Sequence, residues 1–300
     1  MQCNNPKVSV IIPTYNRRHL IQPAIKSVLN QTFIDYELII IDDASIDGTV
    51  DFISNNYGSI PFLQLIYLEQ NRGAAGARNV GIQSARGDFI AFLDSDDLWE
   101  PNYLEKMISA LESDRDSVLA FSKGIETDLA LRTTHCNFSP WQGYPIVTHR
   151  ILLTLDIILT MSAVMIRRSA LLQVGLLNEN LKICHDKDLY LRLLSLGKFI
   201  HVPEILVKKI AHDENLVKQL ILLVEEDRKV IDIFFSDPIN DCYKSYEAEA
   251  RSYVLIRKAK LVRWLSRDYL LAFRLFMQAF LWSPKYIYRQ IQDKKTRLFK

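Results

Sequence analysis

Three carboxylates stand close together behind a short apolar run, since Asp94, Asp96 and Asp97 follow residues 89–93. Like charges at this spacing repel, so one or two of these acids must take up a proton unless a cation lies among them. Carboxylate oxygens suit Mg²⁺ or Mn²⁺, which commonly bind one or two protein carboxylates together with the phosphates of a substrate. The spacing therefore predicts a divalent-metal and phosphate site. The alternative is a polar turn before a helix that begins at Pro101.

Other polar residues follow the remaining predicted strands. Tyr15 offers a ring that can stack on a base, and Asp43 can accept a hydrogen bond from a ring N–H such as that of uracil. Asn71 and Arg78 add hydrogen-bond donors near the end of the third strand. Ligands of open α/β sheets bind at the carboxyl ends of strands, where these residues are expected. The alternative is that the polar residues of the segment 43–47 only cap the next helix.

The elements that must position these residues alternate between strand and helix. Short apolar runs predict strands at residues 8–12, 38–41, 62–68 and 89–93. Apolar residues at helical spacing predict helices at residues 20–29, from 49 onward and at 73–84. Pro13 is expected to end the first strand. The alternation predicts an α/β fold with a doubly wound, mostly parallel, Rossmann-like sheet and right-handed crossovers.

Two common nucleotide-binding fingerprints are absent from the sequence. The first strand is followed by residues 13–17 (PTYNR) and not by GxGxxG, and no GxxxxGK[ST] occurs. Gly73, Gly76 and Gly81 follow the third strand and lack the dinucleotide spacing. A nicotinamide-dependent or P-loop enzyme is therefore not expected.

Composition sets the broad class of the chain. The 300 residues are 49% hydrophobic and 24% charged, with a formal net charge of +2, so we expect a globular protein and no nucleic-acid partner. The four cysteines are far apart and form no metal-binding spacing, which favours reduced thiols and a cytoplasmic location. We find neither a signal-peptide pattern nor an apolar run of about 18 residues that predicts a membrane span.

Five motifs occur together and in order, and with them the sequence resembles the family 2 glycosyltransferases, which have the GT-A fold. The motifs lie at residues 8–17, 41–49, 71–79, 87–97 and 162–168. The resemblance covers roughly residues 8–210 and implies a GT-A glycosyltransferase domain at residues 1–210. Residues 211–300 are predicted to form a basic, aromatic-rich, helical C-terminal extension.

The resemblance implies a role for each matching residue. Pro13, Tyr15 and Asp43 are similar to the family's contacts on the uridine side, with Asp43 on the base, and Arg78 to its arginine near the nucleotide. Asp94 and Asp96 match the DxD motif, which implies Mn²⁺ or Mg²⁺ held between these acids and the diphosphate. The predicted set that binds the nucleotide sugar and its metal is Pro13, Thr14, Tyr15, Asn16, Asp43, Asn71, Arg78, Asp94, Ser95 and Asp96.

The resemblance also implies a catalytic base. In the family this is the Asp of a Glu-Asp pair that precedes an apolar helix, and here Asp186 takes that position while His185 replaces the glutamate. A glutamate beside the base tends to raise the pKa of the base, whereas a protonated histidine lowers it. The alternative is that Asp186 only caps the helix. The resemblance also places His212 near the position of an Arg-x-His segment in many relatives, which makes it a candidate for approach to the diphosphate or metal. The alternative is an ordinary surface or packed histidine.

The activity implied is inverting, metal-dependent transfer of a sugar from a nucleotide donor, with UDP expected, to a hydroxyl of a glycan or lipid-linked acceptor in cell-surface polysaccharide synthesis. Trp141 and Tyr144 lie in the irregular stretch expected to contact the acceptor. One alternative is a sugar nucleotidyltransferase, which would show a glycine-rich, basic loop where this chain has residues 13–16. The other is a catalytically silent GT-A domain that serves as a binding or assembly partner, motivated by His185.

The last residues differ in charge from the rest. From residue 257 onward, twelve Lys and Arg residues stand against two Asp, a local charge of +10 that leaves −8 for the preceding residues. Arg263, Arg267, Arg274 and Gln278 recur at helical spacing, which predicts one helix over residues 263–282 with Pro284 at its end. Aromatic and basic residues favour peripheral association with the cytoplasmic membrane face. The alternative is packing on the chain itself or in a homodimer.

Overall fold

One sheet of nine strands runs through the part of the chain that the computed structural model describes, residues 5–128, 132–135, 146–158, 160–210 and 216–289. The strands are β1 (Val8–Thr14), β2 (Tyr36–Asp42), β3 (Leu63–Tyr67), β4 (Phe89–Phe92), β5 (Asp97–Trp99), β6 (Ser117–Thr127), β7 (Thr133–His135), β8 (Val164–Arg167) and β9 (Lys198–Ile210). Their order is β3-β2-β1-β4-β8-β6-β9-β5, with β7 beside β6. The pairs of β1 with β2 and β4, of β2 with β3 and of β6 with β9 are parallel, whereas β8 is antiparallel to both neighbours. The predicted α/β fold with a mostly parallel sheet is confirmed.

Helices connect the strands and form the C-terminal part. They are α1 (Ile21–Leu29), α2 (Thr49–Tyr57), α3 (Gly73–Ser84), α4 (Tyr103–Ser113), α5 (His149–Thr154), α6 (Arg168–Val174), α7 (His185–Leu193), α8 (Leu216–Ser236), α9 (Glu247–Leu265) and α10 (Tyr269–Trp282), with 3₁₀ turns at Met161–Ala163 and Pro238–Tyr246. The helical C-terminal extension is confirmed. Among the described residues, no helix combines the length and the apolar character that a membrane span requires.

The strands β1, β2 and β4 are buried along their whole length, as expected for continuous apolar runs in parallel strands. The prediction that Pro13 ends the first strand was wrong, because β1 continues to Thr14 and Pro13 pairs with Ile41 of β2. The pairing of β1 with β4 has already ended at Ile11, opposite Phe92. On that side the missing N–H of a proline removes no ladder hydrogen bond.

The predicted helix start at Pro101 was also wrong by two residues. α4 begins at Tyr103, whose N–H bonds to the carbonyl oxygen of Glu100 in a preceding turn. The residues just before it were expected to form a polar turn. They form the short strand β5 instead, because they pair with β9 in antiparallel orientation.

Helix α3 lies unusually close to the centre of the sheet, and Gly81 is the reason. A Cβ atom at Gly81 would stand 2.7 Å from Ile11 Cγ2 and 2.8 Å from Ile41 Cδ1, closer than real Cβ contacts come. A larger residue would therefore push the helix away from β1 and β2. Arg78 lies three residues earlier, on the same face of the helix, so its depth depends on this approach.

The chain divides into two compact units, residues 1–147 with 156–212, and residues 148–155 with 213–300. In the second unit, α5 packs among the C-terminal helices although it comes from the middle of the chain. His149 stacks on Tyr243 with ring centroids 4.1 Å apart, and Arg150 Nε lies 2.7 Å from Glu249 Oε2. These contacts make α5 part of the helical unit.

The single helix predicted over residues 263–282 was wrong. α9 ends at Leu265 and α10 begins at Tyr269, with Arg267 between them at a φ of +53°. The side chain of Asp268 accepts a hydrogen bond from Leu271 N at 2.8 Å and caps the new helix. A local capping signal therefore ended a pattern that periodicity alone continued, and Arg263 does not share a helix with Arg274.

The amino ends of β1 and β2 are joined by a buried carboxylate. Glu37 accepts hydrogen bonds from Ser9 Oγ at 2.7 Å and from Arg86 N, Nε and Nη2 at 2.7, 2.9 and 2.7 Å. Burial alone would raise the pKa of Glu37, but the Ser9 hydroxyl and the Arg86 donors lower it on balance. The ionised form is therefore the one that stabilises the fold.

We expect Glu37→Gln to lower the free energy of unfolding at pH 7 by about 1–3 kcal/mol, because it removes charge-assisted bonds from a buried site. Since the folded pKa of Glu37 is lowered, the difference from wild type should shrink as the pH falls below about 4. Denaturant titrations at both pH values measure it. Glu204→Gln, at an exposed ion pair with Lys106, is the matched control and should change stability little. Equal losses at both pH values would contradict the role of the charge.

Candidate active site

The acidic residues lie together at one end of the sheet, because the parallel strands β1, β2 and β4 have their carboxyl ends there. β8 is antiparallel, so the residues that precede it lie at the same end of the sheet. Ser162 accepts a hydrogen bond from Asp94 N at 3.0 Å and donates one to Asp97 Oδ2 at 2.6 Å. Two segments 65 residues apart in the chain are thereby fixed to each other.

Two loops at this edge are clasped together. Asn16, at a φ of +53°, donates its N–H to Ser45 Oγ at 2.8 Å, and its side-chain oxygen accepts from Ile46 N at 2.9 Å. Arg17 N donates to Thr49 Oγ1 at 3.1 Å. Of the predicted residues here, Pro13 and Thr14 are buried in β1, whereas Tyr15 is 46% exposed. The ring of Tyr15 is therefore accessible from solvent.

Asp43 caps a different helix from the one that the sequence suggested. Its carboxylate accepts from Arg72 N at 2.7 Å and Gly73 N at 2.8 Å, at the start of α3, while Asn71 Nδ2 bonds to its carbonyl oxygen at 3.1 Å. Burial raises the pKa of Asp43 despite these donors. The segment 71–73 is thus held beside the clasped loops. Each carboxylate oxygen retains further acceptor capacity, so the predicted contact with a base stays a prediction.

Arg78 connects the acidic motif to the predicted base segment. Its side chain is buried, with Nη2 donating to Asp94 Oδ1 and Nη1 lying 2.9 Å from His185 Nε2. Its Nε is buried and has no hydrogen-bond partner within the described residues. Arg78 and His185 are 107 residues apart in sequence, and nothing in the spacing of either motif predicts their contact.

The three carboxylates of the motif occupy three different environments. Asp97 is buried, accepts from Ser162 Oγ and Thr160 Oγ1 (3.1 Å), and has its pKa raised to about 8 by burial and by repulsion from Asp94 and Asp96. Burial and the crowding of like charges therefore favour the protonated form of Asp97 at pH 7. Asp94 pairs with Arg78, and Asp96 Oδ2 lies 3.9 Å from Arg17 Nη2. Ser95, between them, is buried.

The carboxylates of Asp94 and Asp96 are the groups here that suit a divalent cation. Their side chains are 30% and 24% exposed, whereas Asp97 is neutral and enclosed. No group of three or more His, Cys, Asp or Glu among the described residues is arranged to hold a metal by itself. Two hard carboxylates without a full protein cage fit Mg²⁺ or Mn²⁺ shared with a diphosphate.

Asp186 lies in the first turn of α7 and is partly buried. Burial raises its pKa to about 6, against the lowering effects of the Lys187 N–H, 2.7 Å from its Oδ1, and of the Arg78 charge. A carboxylate with a pKa near 6 is a useful general base at neutral pH. Its neighbour Lys187 reaches Asp156 at 3.8 Å.

Two further residues were missed by the sequence analysis. Glu179 accepts from Arg72 Nη2 and Asn79 Nδ2, both at 2.9 Å, and Asn79 also binds the backbone of Leu177. They tie the segment before α7 to α3 and so support both Arg78 and Asp186. Asn79 belongs to a recognised motif and could have been singled out, but Glu179 carries no local signal. The predicted Trp141, Tyr144 and His212 lie outside the described residues.

The mostly parallel sheet, with acidic residues at the carboxyl ends of its strands and the antiparallel strand β8 beside them, is the organisation of a GT-A glycosyltransferase. The model of the family "Glycosyl transferase family 2" matches residues 9–175, more than half of the chain. The chain therefore belongs to glycosyltransferase family 2, as the motifs predicted.

Individual relatives agree with this assignment. Chondroitin synthase of Escherichia coli is 31% identical over 227 residues, 75% of this chain and 32% of that protein. The E. coli UDP-Glc:alpha-D-GlcNAc-diphosphoundecaprenol beta-1,3-glucosyltransferase WfgD is 44% identical over 108 residues, 35% of this chain and 40% of that protein. The chain thus spans less than half the length of either relative.

A solved structure supports the fold. The mannosyltransferase PcManGT from Pyrobaculum calidifontis, in complex with GDP-Man and Mn²⁺, has a TM-score of 0.63 at 17% identity, with 97% of this chain and 85% of that chain covered. The likeness at this identity concerns the fold, and it confirms the predicted GT-A architecture.

Proposed function

We propose that the chain is an inverting, metal-dependent glycosyltransferase that moves a sugar from a UDP-sugar to a hydroxyl of a glycan or lipid-linked acceptor in cell-surface polysaccharide synthesis. The observation that carries the proposal is Arg78, whose buried guanidinium contacts both Asp94 and His185, the neighbour of Asp186. The predicted diphosphate side and the predicted base therefore belong to one site. All of the predicted site residues lie in the first unit, which supports residues 1–210 as the catalytic domain and residues 211–300 as its extension.

Donor and acceptor are supported by what the relatives are named for. WfgD is named for a UDP-Glc donor and a diphosphoundecaprenol-linked acceptor, whereas PcManGT is named as a complex with GDP-Man. In this chain Tyr15 would stack on the base and Asp43 would accept from its ring N–H, which favours uracil. Thr14, Asn16 and Asn71 hold the surrounding loops in place.

Asp94 and Asp96 would hold Mn²⁺ or Mg²⁺ together with the diphosphate of the donor. When bound, the cation supplies Lewis-acid stabilisation of the charge on the leaving diphosphate. Arg78 donates a hydrogen bond to Asp94 and so orients its carboxylate. Asp96 faces the more open side, with Arg17 as its basic neighbour.

Asp186 would act as the general base. Its carboxylate takes the proton of the acceptor hydroxyl as that oxygen attacks the anomeric carbon from the face opposite the diphosphate, which inverts the configuration. The base must be ionised to accept a proton, and its pKa is about 6. The rate should therefore rise with pH through about 6 and level off above it.

The surface of α10 supports peripheral membrane association. The helix contacts α9 through small residues, with Ser252 Oγ bonded to Ala279 O at 2.9 Å, and leaves most of its large side chains exposed. The exposed apolar residues are Tyr269, Leu270, Leu271, Phe273, Phe276, Met277, Phe280, Leu281 and Trp282. Between residues 258 and 288, six Lys and Arg stand against one acid, Asp268. Exposed aromatic and apolar side chains among basic ones suit an anionic bilayer surface.

We further propose that this surface is the cytoplasmic one. Cys242 is an exposed free cysteine, which agrees with a reducing compartment. A homodimer through α10 is the competing use of the same surface.

Asp96→Ala should abolish Mn²⁺-dependent transfer and remove the metal dependence of nucleotide binding, because Asp94 alone cannot join the metal to the diphosphate. Donor consumption and calorimetric titration with UDP, each with and without Mn²⁺, measure the two effects. Asp88→Ala, an exposed acid just before β4, is the control and should keep both. Undiminished Mn²⁺-dependent turnover in the Asp96 variant would exclude the assignment.

Asp186→Asn should keep donor affinity but lower kcat by at least about 10²-fold, the usual contribution of a general base. In wild type, kcat/KM should fall about tenfold per pH unit below pH 6, where Asp186 becomes protonated. The variant should lose this acid limb. Asp116→Asn, an exposed acid distant in sequence from the site segments, controls for charge. Equal losses of donor affinity and rate would indicate a structural role instead.

Full-length protein should float with anionic liposomes at low salt and much less at high salt. Phe273→Ser with Leu281→Ser should prevent flotation, and Arg263→Gln with Arg274→Gln should weaken binding by roughly 30-fold, at about 1 kcal/mol for each basic residue. Leu172→Ser, an exposed apolar residue of the first unit, is the control. Failure to float at low salt, together with self-association that the α10 substitutions abolish, would favour the homodimer.

A further inference from the structure

His185 occupies the position where the family pattern carries a glutamate, directly before the predicted base. The side chains of Arg78 and His185 are only 4% and 5% exposed, and Arg78 Nη1 lies 2.9 Å from His185 Nε2. A guanidinium has donors only, so Nε2 must be the acceptor in this hydrogen bond. The imidazole is therefore neutral and carries its proton on Nδ1.

We propose that His185 is a positioning residue, which as a neutral acceptor holds the guanidinium of Arg78 towards Asp94 and so leaves the carboxylate of Asp186 free to take the proton of the acceptor hydroxyl. The inference rests on the proposed function and assigns a role to the residue in which this chain departs from the family pattern.

The charge of Arg78 acts on two carboxylates. It pairs with Asp94, while its charge also lowers the pKa of Asp186. Arginine can bind a carboxylate through two parallel hydrogen bonds. If the guanidinium turned to Asp186, the lowered pKa would make that group a weaker base.

The hydrogen bonds of Arg78 indicate the effect of removing the imidazole of His185. Its Nε already lacks a partner within the described residues, so the orientation depends on the bonds from Nη1 and Nη2. Removal of the imidazole would leave Nη1 buried without this acceptor, a costly state that favours rotation towards another oxygen. Asp186 is the neighbouring base whose pKa already responds to this charge.

A neutral acceptor also differs from a charged one. Glutamate at position 185 would hold Arg78 more strongly but would place a negative charge beside Asp186, which raises the pKa of the base. Other charged groups around this pair are Asp94 at the end of β4, Lys187 and Asp188 on α7, and Asp156, which pairs with Lys187. Histidine fixes the arginine without adding to this charge.

Three substitutions at position 185 separate these effects. His185→Gln keeps an oxygen acceptor, so kcat should stay within about threefold of wild type and the acid limb of kcat/KM near its wild-type position. His185→Leu removes the acceptor at similar volume, so kcat should fall about tenfold or more with little change in donor KM, and the limb should move to lower pH. His185→Glu should move the limb to higher pH.

His201→Gln is the matched control. This histidine lies in the same unit, beside Phe121 on β6, and burial lowers its pKa to about 4, so it too is neutral at working pH. Its substitution should leave rate and pH profile unchanged. Thermal unfolding of each variant verifies folding before kinetics. A His185→Leu variant that is folded and keeps the wild-type rate and limb would overturn the proposal, as would equal losses in all three variants.

A second readout needs no turnover. Long-range ¹⁵N–¹H correlation spectra of the histidine side chains should show His185 at pH 7 as the Nδ1–H tautomer, and Arg78→Gln should change that signal. A protonated ring or an Nε2–H tautomer would overturn the proposal. If wild type consumes no nucleotide sugar while this tautomer is found, the proposed function fails and the contact itself stands. If wild type is active and the tautomer is absent, only the role of His185 fails.

Discussion

The ion pair between the buried guanidinium of Arg78 and the partly exposed carboxylate of Asp94 is the interaction on which the rest of the site depends. A charge removed from water is tolerated only when it is paired and hydrogen-bonded. The guanidinium of Arg78, which α3 places in the interior, therefore needs a carboxylate of the acidic motif beside it. α3 is set by two constraints, the close approach at Gly81 and the Asp43 carboxylate at its first turn. The same arginine then reaches the segment that carries Asp186. The packing of the sheet, the depth of α3 and the positions of Asp94 and Asp186 therefore depend on one another.

Crowding of three acids is resolved by giving each a different state. Asp97 is enclosed by the hydroxyls of Thr160 and Ser162 and kept neutral, Asp94 is balanced by Arg78, and Asp96 stays at the more open side. Asp97 therefore contributes shape and hydrogen bonding rather than charge. These different environments depend on β8. Because β8 runs antiparallel to β4, the hydroxyls of Thr160 and Ser162, which precede it in the chain, lie beside the ends of the parallel strands.

Much of this arrangement could be predicted from the sequence, and the exceptions have physical reasons. Buried parallel strands are continuous apolar runs, so the strands that end at the site, and the acidic residues that follow them, could be predicted. Five motifs in order identified the family. The contact of Arg78 with His185 could not be predicted, because it joins residues 107 positions apart without any local pattern. Asp43 was predicted to contact the base, with a cap on the next helix as the alternative. It caps α3 instead of that helix, because capping rules are local and α3 is reached only through the sheet. Helical periodicity continued through Arg267, where the Asp268 cap starts a new helix.

The origin of α5 affects how the protein is made. Its residues 148–155 belong to the helical unit, although the chain on both sides belongs to the sheet unit, and Leu152 and Leu153 are buried in the finished protein. At a synthesis rate of about 5–20 residues per second, α5 is synthesised roughly 3–12 seconds before the first residues of α8. During that interval its apolar side chains lack their final partners. The helical unit can therefore be completed only after the later helices have been synthesised, whereas a sheet domain followed by a separate helical tail would leave no earlier helix waiting for its partners.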